Sequence, residues 1–553
     1  PEGATLSSQV LVDPLTGQEV EVTNISALTS RDVAGIAERV KAWEAEIPPH
    51  LAYIYDRNLI PSAPYSPSGE PLDKAPLNSS KWVEALEADP PEADFLSLDI
   101  EVPVKEYEIP NAEEADREVC AAALVGSDGR REVYLLDRPV IAREREYEVK
   151  VFQSEVELLQ AVFDAIRSYP ILVTFNGDGF DLPYMLNRAK RLGIRRRRIP
   201  IVSRMGGYSL VNGIHVDLYK LLSNKSVQAY VFGSAYRAFD LDTISRGLLG
   251  EGKEPIGKPI AELSGEELAR YCFKDALLTY RLFEMDGRLP FKLLVAFSRI
   301  CRMPIEDVCR EPVSKWIESL LYYEHRRRRL LIPRKSEIAG RATASTKPIT
   351  EGRKYRGAIV LPPIPGIHFN VTVLDFASLY PSVIKRWNLS YETICCPHPE
   401  CRENRVPETG YWVCGKRRGI QSEVIGSLRD ARVNWFKPKS SDPSLPEAQR
   451  RWYDTIQKAL KVFLNASYGV FGFEEFPLYC PAVAESVAAI GRYAFKKAVK
   501  KAREMGLEVI YGDTDSIFVK NASEEQIAEL LSLIHISEPT RPLYISYAVF
   551  CLK

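Results

Sequence analysis

No apolar run in this chain approaches the ~18 residues that a membrane-crossing helix requires, so no transmembrane helix is expected. No signal-peptide pattern opens the sequence. The chain starts at Pro1, and its native start is expected to lie upstream. Excess charge is also missing: 73 Lys and Arg stand against 74 Asp and Glu, a net charge of −1. That balance neither supports nor excludes a nucleic-acid partner, because local distribution matters more than the total. Internal repeats are absent, and the paired C-x₂₋₄-C rhythm of zinc modules occurs once. With 45% hydrophobic and 27% charged residues, the composition is that of an ordinary globular protein, and 553 residues predict several domains with ample core. Its arginine and proline content is compatible with a thermophile.

The most informative segment that is present is Asp513-Thr514-Asp515, inside the apolar run Val509–Val519. Alternation predicts both carboxylates on one face at the tip of a hairpin. Two like charges held there without a cation would cost several kcal/mol, on the order of 2–7. Oxygen-only ligands suit Mg²⁺ with substrate phosphates. A third acid, Asp375, ends another apolar strand, Val371–Leu374. Strand-end acids from distant sequence can share two ions, one activating a hydroxyl and one holding a triphosphate. Tyr380 follows five residues later; its ring fits either core packing or a contact with a sugar.

A helix is predicted over Tyr453–Tyr468, stopped by Gly469. Gln457, Lys461 and Asn465 form a polar stripe on it, either a solvated face or a charge clamp for a metal–triphosphate. A preceding helix, about Ser422–Phe436, carries Arg429 and Arg432, and Lys437–Pro443 reads as the tip of a helical hairpin.

Upstream, Phe95–Leu98 runs into Asp99-Ile100-Glu101, a strand with two acids on one face. A buried strand, Ile171–Phe175, leads into Asn176-Gly177-Asp178-Gly179-Phe180-Asp181 and a helix beginning near Leu182. Ser264 and Glu267 have capping-box spacing and open a helix with Tyr271 and Asp275 one turn apart. These carboxylates read as a second two-metal site, for hydrolysis, with Asp99, Glu101 and Asp275 on the ions and Tyr271 orienting water.

The segments DFASLYPS, KVFLNASYG and YGDTDSIFV resemble motifs A, B and C of archaeal-type family B DNA polymerases. The upstream set resembles the Exo I, II and III motifs of the DnaQ-like 3′–5′ proofreading domain, which precedes those motifs in that family. The resemblance implies a multidomain α/β and α+β chain: an RNase H-like exonuclease domain, a right-hand polymerase palm and helical-hairpin fingers. It implies template-directed DNA synthesis with proofreading, two Mg²⁺ per active site, and primer–template DNA, dNTPs and a single-stranded 3′ end as partners. A sliding clamp for the full-length parent and a cytoplasmic, nucleoid-associated location follow in the same way.

By that resemblance Asp375 and Asp515 are the principal metal ligands, supported by Asp513; Asp99, Glu101, Asp181 and Asp275 are the editing acids. Tyr380 is the steric gate against ribonucleotides. Arg432 and Lys461 grip the triphosphate, with Asn465 and the motif A residues Phe376, Ala377, Ser378 and Leu379 beside the nucleotide. Asn176 contacts the frayed strand, and Tyr355 and Gly357, in Tyr355-Arg356-Gly357-Ala358, look like the motif that passes the primer end between sites. Motif B lacks its usual serine hydroxyl at Ala466, to which no role is given.

The expected division is a partial N-terminal domain (1–90), exonuclease (91–288), helical connector (289–370), palm (371–420 and 469–531) and fingers (421–468). Pro61–Pro76 reads as loop. Residues 532–553 do not resemble the family's continuation and are expected to be a non-native tail on a chain truncated before the thumb. An exonuclease-only chain and a non-catalytic DNA-binding scaffold are the rival readings, the latter weakened because every acid stands.

Two four-arginine runs, Arg195–Arg198 and Arg326–Arg329, fit either phosphate contacts or a solvated surface. Of ten cysteines, Cys395, Cys396, Cys401 and Cys414 cluster around His398. Zinc, a Cys401–Cys414 disulfide and free thiols are all open, and the resemblance favours the disulfide, at the spacing of a palm disulfide in archaeal relatives.

Overall fold

The computed structural model describes residues 4–27, 29–40, 42–64, 79–104, 110–140, 144–204, 206–339, 357–376, 378–534 and 543–550. Strands β1 (Thr5–Val12) and β2 (Glu19–Ser26) form an N-terminal antiparallel hairpin. Of Pro61–Pro76, residues 61–64 form a turn, and the rest lies outside the described residues.

The first large sheet contains β3 (Phe95–Glu101), β4 (Ala121–Gly126), β5 (Arg131–Leu136), β6 (Glu148–Phe152), β7 (Ile171–Thr174) and, after a small β8 (Ile201–Arg204)/β9 (Gly207–Leu210) hairpin, β10 (Ile214–Asp217). Its spatial order is β10-β7-β3-β4-β5-β6, with β10, β7 and β3 mutually parallel and β4 antiparallel to both its neighbours. Strand β3 is central and is covered on both faces, so its residues are almost all buried. The helix Gly265–Cys301 packs on that sheet, where Ser97 Oγ donates to the Ala276 carbonyl at 2.9 Å. Its start is fixed by the Ser264/Glu267 capping box, and its path breaks at Met285–Arg288, where the backbone leaves helical values.

The second sheet is antiparallel throughout: β11 (Val360–Leu361), β12 (Gly366–Asp375), β13 (Glu508–Asp513), β14 (Ser516–Lys520) and β15 (Leu543–Phe550), in the order β11-β13-β14-β12-β15. Residues 543–550, expected from sequence to belong to a tail without a place in the fold, pair along β12 from Gly366↔Phe550 to Val373↔Leu543. A helix, Glu524–Ile534, follows β14. Among the described residues, no helix is long and apolar enough to cross a membrane.

The helical hairpin differs from expectation at both ends. Helix Ile420–Asp430 continues as a π-helical stretch, Ala431–Phe436, and a further turn, Lys437–Ser440, so the tip begins later than Lys437. The return helix runs from Glu447 to Phe471, straight through Gly469. Tertiary packing overrides the glycine: Phe463 stacks near Phe297 and Trp316, while Val470 and Phe471 are buried beyond Gly469.

In the second arginine run, three side chains are half-buried in ion pairs and one is exposed. Arg326 pairs with Glu44 and Asp56 at 2.8 and 2.7 Å, Arg327 and Arg328 pair with buried Glu324 at 2.6 and 3.1 Å, and Arg329 donates to the Val10 carbonyl. Arg326 thus ties the helix Val313–Arg327 to the segment carrying Glu44 and Asp56, and the exposed Arg329 reaches the N-terminal hairpin.

Candidate active sites

The upstream acids converge. Carboxylate oxygens of Asp99, Glu101 and Asp275 all lie within 4.8 Å of one another. Strand β3 supplies the first two by its period of two, and the first helical turns after the capping box supply the third. Asp181 sits at the start of the helix Asp181–Arg191, and its Oδ1 accepts the Ile100 amide at 3.1 Å, which moors the neighbouring element to β3. Burial lifts all four carboxyls: Asp99 well above its ordinary range and Glu101 to about 8, both also raised by the other acids of the set, Asp181 to about 7, and Asp275 upward. Asp275 Oδ1 is buried with no hydrogen-bond partner among the described residues. A crowded, all-oxygen set with an orphaned acceptor fits hard divalent cations.

Sequence reasoning missed Lys253. Its ammonium lies 2.5 Å from Asp275 Oδ2 and 5.2 Å from the Tyr271 ring centre. Burial opposes its charge, but Asp275, Tyr271 and Asp99 outweigh that and hold it protonated. Tyr271 itself is pushed up by burial and by Asp275, so its hydroxyl stays a donor. Nothing in the sequence marks this lysine, which comes from the loop before the capping box.

The turn after β7 is held by Asp217, also missed. Its carboxylate accepts the Asn176 amide at 2.7 Å and the Asp178 amide at 3.1 Å while capping the next short helix. This acid ends an apolar strand, the signal that identified Asp375. Asn176 is exposed with a φ of 66°. At Gly177 a Cβ would lie 2.1 Å from Thr174 Oγ1, so the turn closes only on glycine. Asp178 pairs with Arg310 at 2.7 Å and lies 3.6 Å from His215; despite burial, these two neighbours hold its carboxyl well below the usual range, so it stays ionised.

The second acidic set stands at the edge of the second sheet. Asp375 ends β12 opposite Ser516, whose hydroxyl donates to Asp375 Oδ1 at 2.8 Å; the Phe376 amide donates to the Asp515 carbonyl at 2.8 Å. This brackets Asp375 and Asp515 together. Partial burial raises both carboxyls, Asp515 to about 6 with Asp375 as the next cause.

Asp513 departs from expectation. It pairs with Ser516, so Thr514 and Asp515 form the two-residue turn, with Thr514 at a φ of 52°. Strand alternation therefore does not carry through Asp515. The Asp513 carboxylate turns to Thr514 Oγ1 at 2.7 Å, and it forms no three-acid cluster with the other two among the described residues.

Cations face this pair. Charge from Lys437 and Lys461 reaches Asp375. Arg432, in the π-helical stretch, is buried and donates to Ser378 Oγ at 3.2 Å and to the Gln457 carbonyl at 3.2 Å. Burial, then Arg429, drives its guanidinium down to about 10; burial, then Arg432, lowers Lys461. Lys461 also lies 5.7 Å from the Tyr230 ring, so the hairpin touches the first large unit. Tyr380 packs on Tyr468 with ring centres 4.5 Å apart, and Asn465 is exposed one turn beyond Lys461. Phe376 and Leu379 are buried and Ser378 has a φ of 51°. Ala377 and Tyr355 lie outside the described residues; Gly357 lies within them, and its carbonyl accepts from Arg492 at 2.9 Å.

The expected disulfide is corrected. Cys401 and Cys414 are unbridged. Crossing chain segments bring Cys396 and His398 to the same point, so four ligand groups meet there instead of a pair.

Comparison with known proteins was made on sequence and on fold. The model for DNA polymerase family B, exonuclease domain, matches residues 40–232, and that for DNA polymerase family B matches residues 303–537. DNA polymerase 1 of Aeropyrum pernix is 40% identical over 94% of this chain and 58% of its own length. DNA polymerase 1 of Saccharolobus solfataricus is 40% identical over 95% of this chain and 63% of its own length. The chain thus spans about three fifths of these relatives. The structure of the family B DNA polymerase from the hyperthermophilic archaeon Pyrobaculum calidifontis aligns with a TM-score of 0.71 at 25% identity, over 99% of this chain and 70% of that one. The first acidic set falls largely within the exonuclease match and the second wholly within the polymerase match, in one chain with these relatives, and the chain belongs to DNA polymerase family B.

Proposed function

We propose that this chain carries the synthetic and editing centres of a DNA-directed DNA polymerase with 3′–5′ exonuclease activity. The observation that carries the reading is the pair of separate strand-end carboxylate sets, Asp99/Glu101/Asp275 and Asp375/Asp515, every member of which is raised by burial. Perturbed acids gathered at strand ends are what metal-assisted phosphoryl chemistry requires. The division of labour follows the expected domains: editing in 91–288, connector in 289–370, palm in 371–420 and 469–531, fingers in 421–468.

In synthesis, a primer 3′-hydroxyl attacks the α-phosphate of a dNTP in line and pyrophosphate leaves. Asp375 and Asp515 would hold two Mg²⁺ ions, which supply charge neutralisation at the attacking and leaving oxygens. Asp513 supports the hairpin that presents Asp515. Arg432 and Lys461 bind the triphosphate, with Asn465 and the Phe376–Leu379 segment alongside. Both cations are destabilised by burial and lack ion-pair partners among the described residues, so a polyanion is their natural complement. Tyr380, fixed against Tyr468, excludes a 2′-hydroxyl. Closure of the hairpin on a correct nucleotide supplies induced-fit selection.

In editing, Asp99, Glu101 and Asp275, with Asp181 behind, hold the cations. Tyr271 donates to and orients the attacking water, and Lys253 holds Asp275 in place. Asn176, presented by a turn fixed by Asp217, contacts the frayed strand, and Tyr355 and Gly357 help pass the primer end. The partners are primer–template DNA, dNTPs and, for the longer parent, a sliding clamp; the location is cytoplasmic and nucleoid-associated.

The test is a gel assay on labelled primer–template with Mg²⁺, with and without dNTPs, beside Asp275→Ala and Asp515→Ala variants. Shortening without dNTPs that vanishes only in Asp275→Ala, and extension with dNTPs that vanishes only in Asp515→Ala, are expected. Shortening in both lanes reduces the reading to an exonuclease. Neither activity from a folded chain overturns it in favour of a DNA-binding scaffold.

A further inference from the structure

Between β12 and the hairpin lies a segment whose side chains take no part in either acidic site. Ile394 bridges to Val413 and Arg405 to Trp412, so two arms of the segment are zipped together. A short turn, Pro399–Glu403, returns the chain between them. This geometry gathers Cys396, His398, Cys401 and Cys414, whose ligand atoms all lie within 4.8 Å of one another. Cys414 Sγ lies 3.4 Å from His398 Nδ1. The three cysteines are 1%, 2% and 3% exposed and form a small cluster of their own, flanked by Trp412.

One backbone amide faces a sulfur of this cluster. The Gly415 amide donates to Cys401 Sγ at 3.4 Å. Such a donor suits a sulfur that ligates a metal. A Cys401–Cys414 disulfide would use two of the four groups and leave Cys396 and His398 without purpose. Three sulfurs and one imidazole are a soft set that selects zinc over Mg²⁺. Ligands ~2.0–2.3 Å from a tetrahedral ion lie about 3.3–3.8 Å apart, a small contraction from the spacing here.

We propose that Cys396, His398, Cys401 and Cys414 bind one zinc ion in a closed, structural site. Four protein ligands leave no position for water, so the ion has no chemistry to perform. Its place in the fold says what it holds. Asn388 Nδ2 donates to the carbonyls of Cys414 and Arg417 at 2.9 and 2.8 Å, and the Gly419 amide returns to Asn388 Oδ1 at 2.8 Å, just before the helix Ile420–Asp430. Arg417 donates to the carbonyls of Leu15 and Glu392 at 2.9 and 3.2 Å. The ion therefore anchors the base of the hairpin that carries Arg432 and joins it to the N-terminal strands.

The test is metal analysis of the intact chain, expressed with zinc in the medium and gel-filtered under reducing conditions. About one zinc per chain is expected, with loss of most of it in Cys396→Ser and His398→Ala but not in Cys120→Ser. X-ray absorption at the zinc edge should fit three sulfurs near ~2.3 Å and one nitrogen near ~2.0 Å. That measurement on the unaltered chain decides the matter even if the variants fail to fold. Zinc well below stoichiometric, another metal in its place, or a Cys401–Cys414 disulfide peptide in non-reducing mass spectrometry would overturn the proposal. So would variants that keep full zinc.

Discussion

Replacing Glu101 with glutamine isolates the electrostatic cost of the editing site. Glu101 is 8% exposed, and burial followed by Asp275 pushes its carboxyl from 4.5 to about 8. The unfolded chain loses this proton near pH 4.5, while the cation-free fold keeps it to about pH 8. Across that window the fold binds more protons, so stability falls as pH rises. At ~1.4 kcal/mol per unit, about 3.5 units cap the cost at about 5 kcal/mol. Asp99 and Asp275 share one proton economy with Glu101, and their readjustment brings the expected effect to about 2–3 kcal/mol. Glutamine has no proton to lose. In chelator, Glu101→Gln should match the unaltered chain at pH 5 and exceed it at pH 8.5. A unit of about 200 residues shifts by ~2–4 °C per kcal/mol, giving a gain of about 4–12 °C. Excess Mg²⁺ at pH 8.5 should narrow or reverse the gap, because the cation favours the ionised carboxylate only where one exists. Calorimetry at the two pH values, with and without Mg²⁺, reads all of this. An equal gap at both pH values, or a less stable variant at pH 8.5 in chelator, would refute the reasoning.

Three further outcomes are expected. Gly512→Ala puts a Cβ 2.6 Å from Phe495 Cζ and 3.2 Å from the Ser516 carbonyl; it should cost about 1–3 kcal/mol and slow extension, seen as a lower melting temperature and a smaller kcat. His325 is fully buried, bonded to the Leu321 carbonyl at 2.7 Å and held down to about 4 by burial. Stability present above pH 6.5 should therefore drain as pH falls toward 4, by up to about 3 kcal/mol, and His325→Phe should flatten that slope in urea titrations at pH 7 and 4.5. Tyr380→Ala removes the ring stacked on Tyr468; discrimination against ribonucleotides should drop at least about tenfold in single-nucleotide kinetics, with little change in exonuclease rate.

What the sequence disclosed follows one rule: an acid at the end of an apolar run. Asp99 and Glu101 share a face because β3 is a regular strand, and Asp375 is exposed because β12 stops there. The same rule failed at Asp513 and Asp515, where a two-residue turn replaces the alternation it assumes. It was not applied to Asp217, which obeys it. Lys253 and Arg310 were beyond reach, since loop lysines and helix arginines acquire a partner only when the chain closes. Arg326 illustrates this: it finds Glu44 and Asp56, far off in sequence, in space. Gly469 shows local propensity losing to packing, and the cysteine segment shows spacing naming one residue too many, since Cys395 is not in the group that meets around His398.

The second acidic site has a further consequence in its own charges. Asp375 is raised by burial and Asp515 by burial and then Asp375, which disfavours their ionised forms. Arg432 is lowered by burial and by Arg429, and Lys461 by burial and by Arg432, which disfavours their charged forms. A divalent cation alone relieves the acids and worsens the field at the two basic side chains. A free triphosphate relieves the basic pair and worsens the field at the acids. Only the two together satisfy every group, so metal and nucleotide should bind cooperatively, each tightening the other by the same factor. Coupling of this kind is typically worth ~1–3 kcal/mol, or about 5–150-fold. Calorimetric titration of dNTP at two Mg²⁺ concentrations, repeated in Lys461→Met, measures it. The substitution should cut the coupling and not merely the affinity, because it removes the charge that conflicts with the metal when the nucleotide is absent.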